Sequence, residues 1–163
     1  MKMRFVWLFA AAILTSAGSA PAAPVAVEVV LETQESIRFD FADGTKHFVL
    51  AVRREGVAEG TGPFAGATIA EIGWHDVNPP NWGSPQGYLQ VTAPNGDVAV
   101  LRWKVTAIFT KPEGKLSLRN HGIWELTGGT GQFERMRGVG ALTILPLGGP
   151  NKFTLTGELG PAP

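Results

Sequence analysis

From residue 25 onward the chain repeats one pattern: a short run of alternating apolar and polar residues, then a cluster of Gly, Pro, Asn or Asp. A period of two places alternate side chains on opposite faces of a strand, whereas a helix needs apolar residues three and four apart. No stretch longer than a turn or two meets the second requirement. The expectation is therefore an all-β domain of some eight strands. A sheet of that size with no covering helix leaves two edges open to other chains, and closing it on itself removes them. The pattern predicts an eight-stranded antiparallel β-barrel, with a β-sandwich as the alternative.

Three hairpins can be argued by register. In the first, Ile37–Phe41 returns as Lys46–Leu50 through Asp43-Gly44, a pair suited to a two-residue turn. This predicts Phe39 opposite Phe48 and Ile37 opposite Leu50, with Arg38 and Asp40 on the other face. The second turns at Pro94-Asn95-Gly96 and sets Val91 against Ala99, Leu89 against Leu101, and Gly87 against Trp103. In the third, Lys111-Pro112-Glu113-Gly114 joins two long runs, with Phe109 opposite Leu118, Val105 opposite Gly122, Trp103 opposite Trp124 and Leu101 opposite Leu126. Its reverse face pairs Arg102 with Glu125 and Ile108 with Arg119. A one-residue slip would turn every side chain to the wrong face, so this agreement of apolar and charged partners argues strongly for the register. Further strands are expected at Val25–Leu31, Ala67–Val77, Arg135–Leu145 and Lys152–Leu159.

The first residues, Met1-Lys2-Met3-Arg4, are basic and lead into an apolar run from Phe5 to Leu14. Small residues follow, and Ala20-Pro21-Ala22 has the small-x-small form that signal peptidases cut. Residues 1–22 read as a signal peptide and 23–163 as one barrel domain, exported to the periplasm or secreted. The apolar run falls short of the roughly 20 residues of a spanning helix, so no stable membrane anchor is expected after cleavage. The chain has no cysteine, which excludes disulfides and thiolate chemistry. Its 14 basic residues balance 14 acidic ones without a basic run, which argues against nucleic acid as a partner.

A short motif occurs twice. Glu59-Gly60-Thr61-Gly62-Pro63-Phe64 returns as Gly128-Gly129-Thr130-Gly131-Gln132-Phe133, each copy leading into a β-rich segment. Glycines there suit a tight loop with positive φ, and the Phe suits a plug that anchors the loop to the core. A phosphate-cradling loop would require a following helix and usually a Lys, and neither copy has them. No cofactor is called for.

The run Leu126–Gly138, centred on Gly128-Gly129-Thr130-Gly131-Gln132-Phe133, resembles the signature of dirigent proteins and the related allene oxide cyclase barrels. Ser84-Pro85-Gln86-Gly87-Tyr88 is similar to the Gln-Gly-aromatic strand start of dirigent proteins. The resemblance covers roughly Gln86 to Ile144. It implies an eight-stranded antiparallel barrel with a lumen open at one end, frequently a homotrimer, that holds a hydrophobic small molecule. In some members it implies an enzyme that steers a reactive intermediate into one ring closure or stereoisomer. The acidic and arginine site residues of those families cannot be placed on this chain. The segment Glu71–Tyr88 departs from their pattern through Asn78-Pro79-Pro80-Asn81-Trp82-Gly83.

No linear catalytic motif is present. His47, His75 and His121 stand on different segments and are expected on solvent-facing strand positions rather than gathered around a metal. His75 and Asp76 are neighbours in a strand and so point to opposite faces. Glu71 lies two pleats before His75 on one face. The pair is a candidate for acid/base work if that face lines the lumen, and an exposed strand face is the simpler expectation. Asn120 is the polar exception on an apolar strand face and needs a partner, so it is a candidate ligand contact. Trp103 and Trp124 share that face as core or lumen wall, with ligand contact the alternative. Trp82, in the Pro-rich loop, is expected to guard the mouth or meet a partner. Three functions follow as expectations: a non-catalytic barrel binding a small hydrophobic molecule, a cyclase- or isomerase-like enzyme, or recognition of sugar or protein through Trp74, Trp82 and Tyr88.

Overall fold

The computed structural model describes residues 22–163, so the leader read over residues 1–22 lies, but for Ala22, outside the described residues. Ten strands follow in chain order: β1 Ala23–Asp40, β2 Phe48–Val57, β3 Glu59–Thr61, β4 Thr68–Asn78, β5 Trp82–Gly83, β6 Gln86–Thr92, β7 Val98–Thr110, β8 Ser117–Gly129, β9 Met136–Pro146 and β10 Asn151–Pro161. Eight of them pair antiparallel in the order β1-β2-β4-β6-β7-β8-β9-β10, and β10 pairs back to β1. The result is a closed eight-stranded antiparallel barrel. The short β3 adds to β1, and β5 to β4.

The second and third hairpins have the registers that alternation predicts, down to Arg102 opposite Glu125 and Ile108 opposite Arg119. The first does not. Phe39 faces Val49 and Ile37 faces Ala51, one residue from the expected pairing. The reason is the turn. The Asp43 carboxylate accepts from the Thr45 backbone N–H at 2.9 Å and from its hydroxyl at 2.7 Å, while Phe41 N donates to His47 O. This Asx-type turn replaces the two-residue loop and shifts the returning strand by one. Phe39 and Ile37 lie on the outer face of β1, 62% and 78% exposed.

One row of paired residues runs around the barrel: Val52, Gly73, Gly87, Trp103, Trp124, Gly140, Gly157 and Val25. Two indoles thus sit side by side with a glycine pair on each flank. The row explains its own glycines. A Cβ on Gly140 would lie 2.6 Å from Trp124 Nε1, and one on Gly157 would lie 2.8 Å from Trp124 Cζ2. Trp124 fills that space and donates from Nε1 to Thr156 O at 3.1 Å.

The two Gly-Thr-Gly-x-Phe copies meet. Phe64 and Phe133 are both fully buried, their ring centroids are 5.9 Å apart, and Phe64 also packs on Trp124 at 5.8 Å. Together they close one end of the barrel. Gly131 has φ +53°, and a Cβ there would collide with the Asp97 carboxylate, which accepts from Gln132 N at 2.9 Å. Burying each large apolar side chain contributes about 1.5–3 kcal/mol, so this closed end is a main source of stability.

Candidate functional site

At the opposite end the inward positions change character. Along β2 the side chains of Val52 and Arg54 point inward, and along β4 those of Ile69, Glu71, His75 and Val77 do. Arg54 and Glu71 are direct cross-strand partners. Arg54 Nη1 donates to Glu71 Oε2 at 2.8 Å, and Arg54 Nε donates to Thr33 Oγ1 at 3.3 Å. Glu71 has no exposed surface, while Arg54 is 5% and His75 7% exposed. His75 Nε2 lies 3.4 Å from Glu71 Oε1 and also 3.4 Å from Arg54 Nη1. These neighbours ask opposite things of it. With a proton on Nε2 the imidazole donates to Glu71, and without one it accepts from Arg54.

Glycine makes room for this arrangement. A Cβ on Gly73 would lie 2.5 Å from Glu71 Oε1 and 2.8 Å from His75 Nε2, so both side chains lean over an empty position on their own strand. The imidazole ring then sits 5.9 Å from the indole of Trp103, which packs edge-on against Phe153. The guanidinium offsets the carboxylate charge, and each ion is held by the other. A buried pair of this kind adds little net stability over apolar residues of similar size, although removing one partner is costly.

Three polar atoms are buried without a hydrogen-bond partner among the described residues: Asn78 Oδ1 at the end of β4, next to the inward Val77, and Trp103 Nε1 and Asn120 Oδ1 on the inward face. Asn120 lies between Ala107 and Ile144 on neighbouring strands. Small but non-zero exposure is confined, among inward residues, largely to this end, at Val52, Arg54, His75, Val77, Ala107 and Asn120. On the outer side of the rim, His47 Nε2 pairs with Asp76 Oδ1 at 2.7 Å, and the His47 ring stacks on Phe41 at 4.2 Å and approaches Trp82 at 5.3 Å.

The expected site residues thus fall into two groups. Glu71, His75, Asn120, Trp103 and Trp124 all point into the barrel, and Trp82 stands partly exposed at its rim. The simpler expectation for Glu71 and His75, an exposed strand face, is corrected: β4 is paired on both edges and its Glu71 face is the lumen face. His47 is likewise half-buried in its hydrogen bond with Asp76 rather than turned to solvent, while His121 is exposed. Asp76 points away from its neighbour His75 and meets His47 instead. Arg54 was missed. Its signal was present, because the Leu50–Val52 alternation extended by one pleat places Arg54 on the same inward face.

A concavity of about 710 Å³ lies on the outside of the barrel. Ile72, Trp74, Tyr88 and Ile123 line it, with Arg102 and Lys104 at its margin. Trp74 and Tyr88 are each about half exposed there, on a face that does not include Trp82.

No family model matches the chain, and no curated protein matches it. A solved structure that does match is a conserved protein of unknown function from Rhodopseudomonas palustris, 8% identical, with a TM-score of 0.49, over 86% of this chain and 99% of that one.

Proposed function

We propose that this chain is an exported barrel that binds a small, mainly hydrophobic molecule bearing an oxygen or similar hydrogen-bonding group, seated at the polar end of the lumen. One observation carries the reading: beside the buried Arg54–Glu71–His75 cluster, Trp103 Nε1 and Asn120 Oδ1 are buried and unpartnered. A donor-only indole N–H and an amide oxygen without partners are costly unless a ligand or ordered water completes them. Trp103, beside His75, and Phe153, packed on Trp103, would supply the apolar side of such a site. The resemblance to dirigent and allene oxide cyclase barrels is in keeping with this reading.

A specific geometry favours a second reading, an enzyme of the cyclase or isomerase kind. His75 Nε2 stands between a carboxylate and a guanidinium, an arrangement in which one imidazole nitrogen can hold or release a proton beside a confined substrate. In this reading Glu71 and His75 move the proton and Arg54 holds the carboxylate in place.

The test is titration of the purified protein with N-phenyl-1-naphthylamine, followed by tryptophan quenching and energy transfer. Saturable binding of one probe per chain is expected, displaced better by long-chain aldehydes or alcohols than by the matching alkane. Asn120→Trp, which fills the mouth, abolishes it. A folded protein that binds none of these overturns the proposal. Turnover of an unsaturated aldehyde or epoxide, lost in His75→Phe with binding retained, would select the enzyme.

A further inference from the structure

Closing the barrel leaves one long stretch of strand unpaired. Residues Ala23–Leu31 of β1 pair with β10, but Glu32–Asp40 pair with β2 alone, so their outer backbone edge has no strand partner among the described residues. Every residue from Glu32 to Asp40 is exposed, on both faces, as the β1–β2 hairpin runs out beyond the barrel. Glu32, Glu35, Arg38 and Asp40 and a bulge between Thr33 and Glu35 guard part of this edge, but it contains no Pro, Gly or Lys, and beyond the bulge it carries Ile37 at 78% and Phe39 at 62% exposure on one face.

We infer that this arm is a self-association interface, in which Gln34–Asp40 pairs antiparallel with the same segment of a second copy across a two-fold axis. The occupant follows from the edge itself. A row of free backbone N–H and C=O groups is satisfied by another extended strand, and no other free edge of comparable length exists among the described residues. Two identical edges meeting antiparallel satisfy each other at once and close the assembly at two chains. Pairing centred on Ile37 sets Ile37 opposite its own copy and Phe39 opposite Glu35, so the two isoleucines meet on one face with a Phe39 on either side of them. The same outer face continues through Ala51 and Trp74, the cross-strand neighbours of Ile37, toward the outer groove. The inference does not depend on the lumen binding a ligand.

The test measures mass by light scattering across a concentration series, for the wild-type chain and Ile37→Lys. Since Ile37 makes little contact within its own chain, the variant is expected to keep its β spectrum and melting profile while dissociating at about tenfold or more higher concentration. The chain lacks cysteine, so a nitroxide on Ile37→Cys reports on one position alone. Expected is a dimer whose labels lie within about 20 Å, as strands roughly 4.8 Å apart and two tethers allow. A monomer at concentrations up to about 100 μM overturns the inference. So does a trimer, or a dimer that survives Ile37→Lys with its labels far apart.

Discussion

The two ends of this barrel solve the same problem with opposite chemistry. At one, Phe64 and Phe133 from the repeated glycine-rich loops meet beneath Trp124, and every inward atom is apolar and sealed. At the other, Arg54, Glu71 and His75 occupy inward positions of β2 and β4, beside an indole N–H and an amide oxygen without partners. An apolar plug gains stability from transfer out of water and from close packing. A buried ionic cluster does not gain in the same way, because desolvation offsets most of the attraction. The closed end therefore reads as the part that keeps the barrel folded, and the polar end as the part retained for something other than folding.

The largest effects should separate these roles. Phe133→Ala is expected to cost about 3–5 kcal/mol in urea unfolding, as a buried aromatic lost from a packed end. Glu71→Ala is expected to cost about as much, for a different reason: it strands the Arg54 guanidinium in the barrel wall. The distinction lies in the rescue. Replacing both ions, as Arg54→Met with Glu71→Leu, should return stability to near wild type or above while ligand binding at that end is lost. No apolar double replacement is available to restore the plug. If the double variant stays as unstable as Glu71→Ala, the polar end is structural and the contrast between the ends fails.

How much of this contrast was legible in the chain differs between the same two ends. The closed end announces itself twice, in Gly-Thr-Gly-x-Phe, and the strands beside it follow simple alternation, so β6, β7 and β8 fall into register with Trp103 opposite Trp124. Glu71 and His75 were recognisable as sharing one strand face, though an exposed face was the simpler expectation, and Asn120 as the polar residue on an apolar one. The cluster itself was not. Arg54 pairs with Glu71 only because β2 lies beside β4, a neighbourhood fixed by the whole barrel and not by either strand. The first hairpin misled for a local reason. Asp-Gly satisfies a two-residue turn, but the Asp43 carboxylate finds better partners in Thr45, and the register moves by one.

A smaller perturbation compares the ends through their glycines. Gly140→Ala would drive a methyl to 1.9 Å from the Thr156 carbonyl oxygen and 2.6 Å from the Trp124 indole nitrogen, so backbone must move. A loss of about 1–3 kcal/mol is expected. Gly73→Ala meets only the ends of two side chains, Glu71 Oε1 and His75 Nε2. Those side chains can swing, so the smaller loss of stability is expected there, with His75 displaced from Glu71. The imidazole signals of His75 in a heteronuclear NMR spectrum should shift in Gly73→Ala and stay in place in Gly140→Ala.

The smallest effect belongs to the turn that carries the β1–β2 arm beyond the polar end. Hydrogen bonds from the Thr45 hydroxyl and backbone N–H to Asp43 hold this carboxyl below its ordinary value of 3.8. A carboxyl depressed by folding contributes its stability in full above that ordinary value, and the contribution is lost as pH falls through the lower, folded value. Because the group is fully exposed, the consequence is local. Thr45 and His47 amide signals, the latter through the bond from His47 N to Thr45 Oγ1 at 3.0 Å, should move together below pH 3.8 while those of Phe64 and Phe133 remain still. In Asp43→Asn the side-chain oxygen still accepts from Thr45 but carries no titratable proton, so the turn should persist and the acid transition vanish. Simultaneous movement of the Phe133 amide in the wild-type chain would show that the two ends are one cooperative unit.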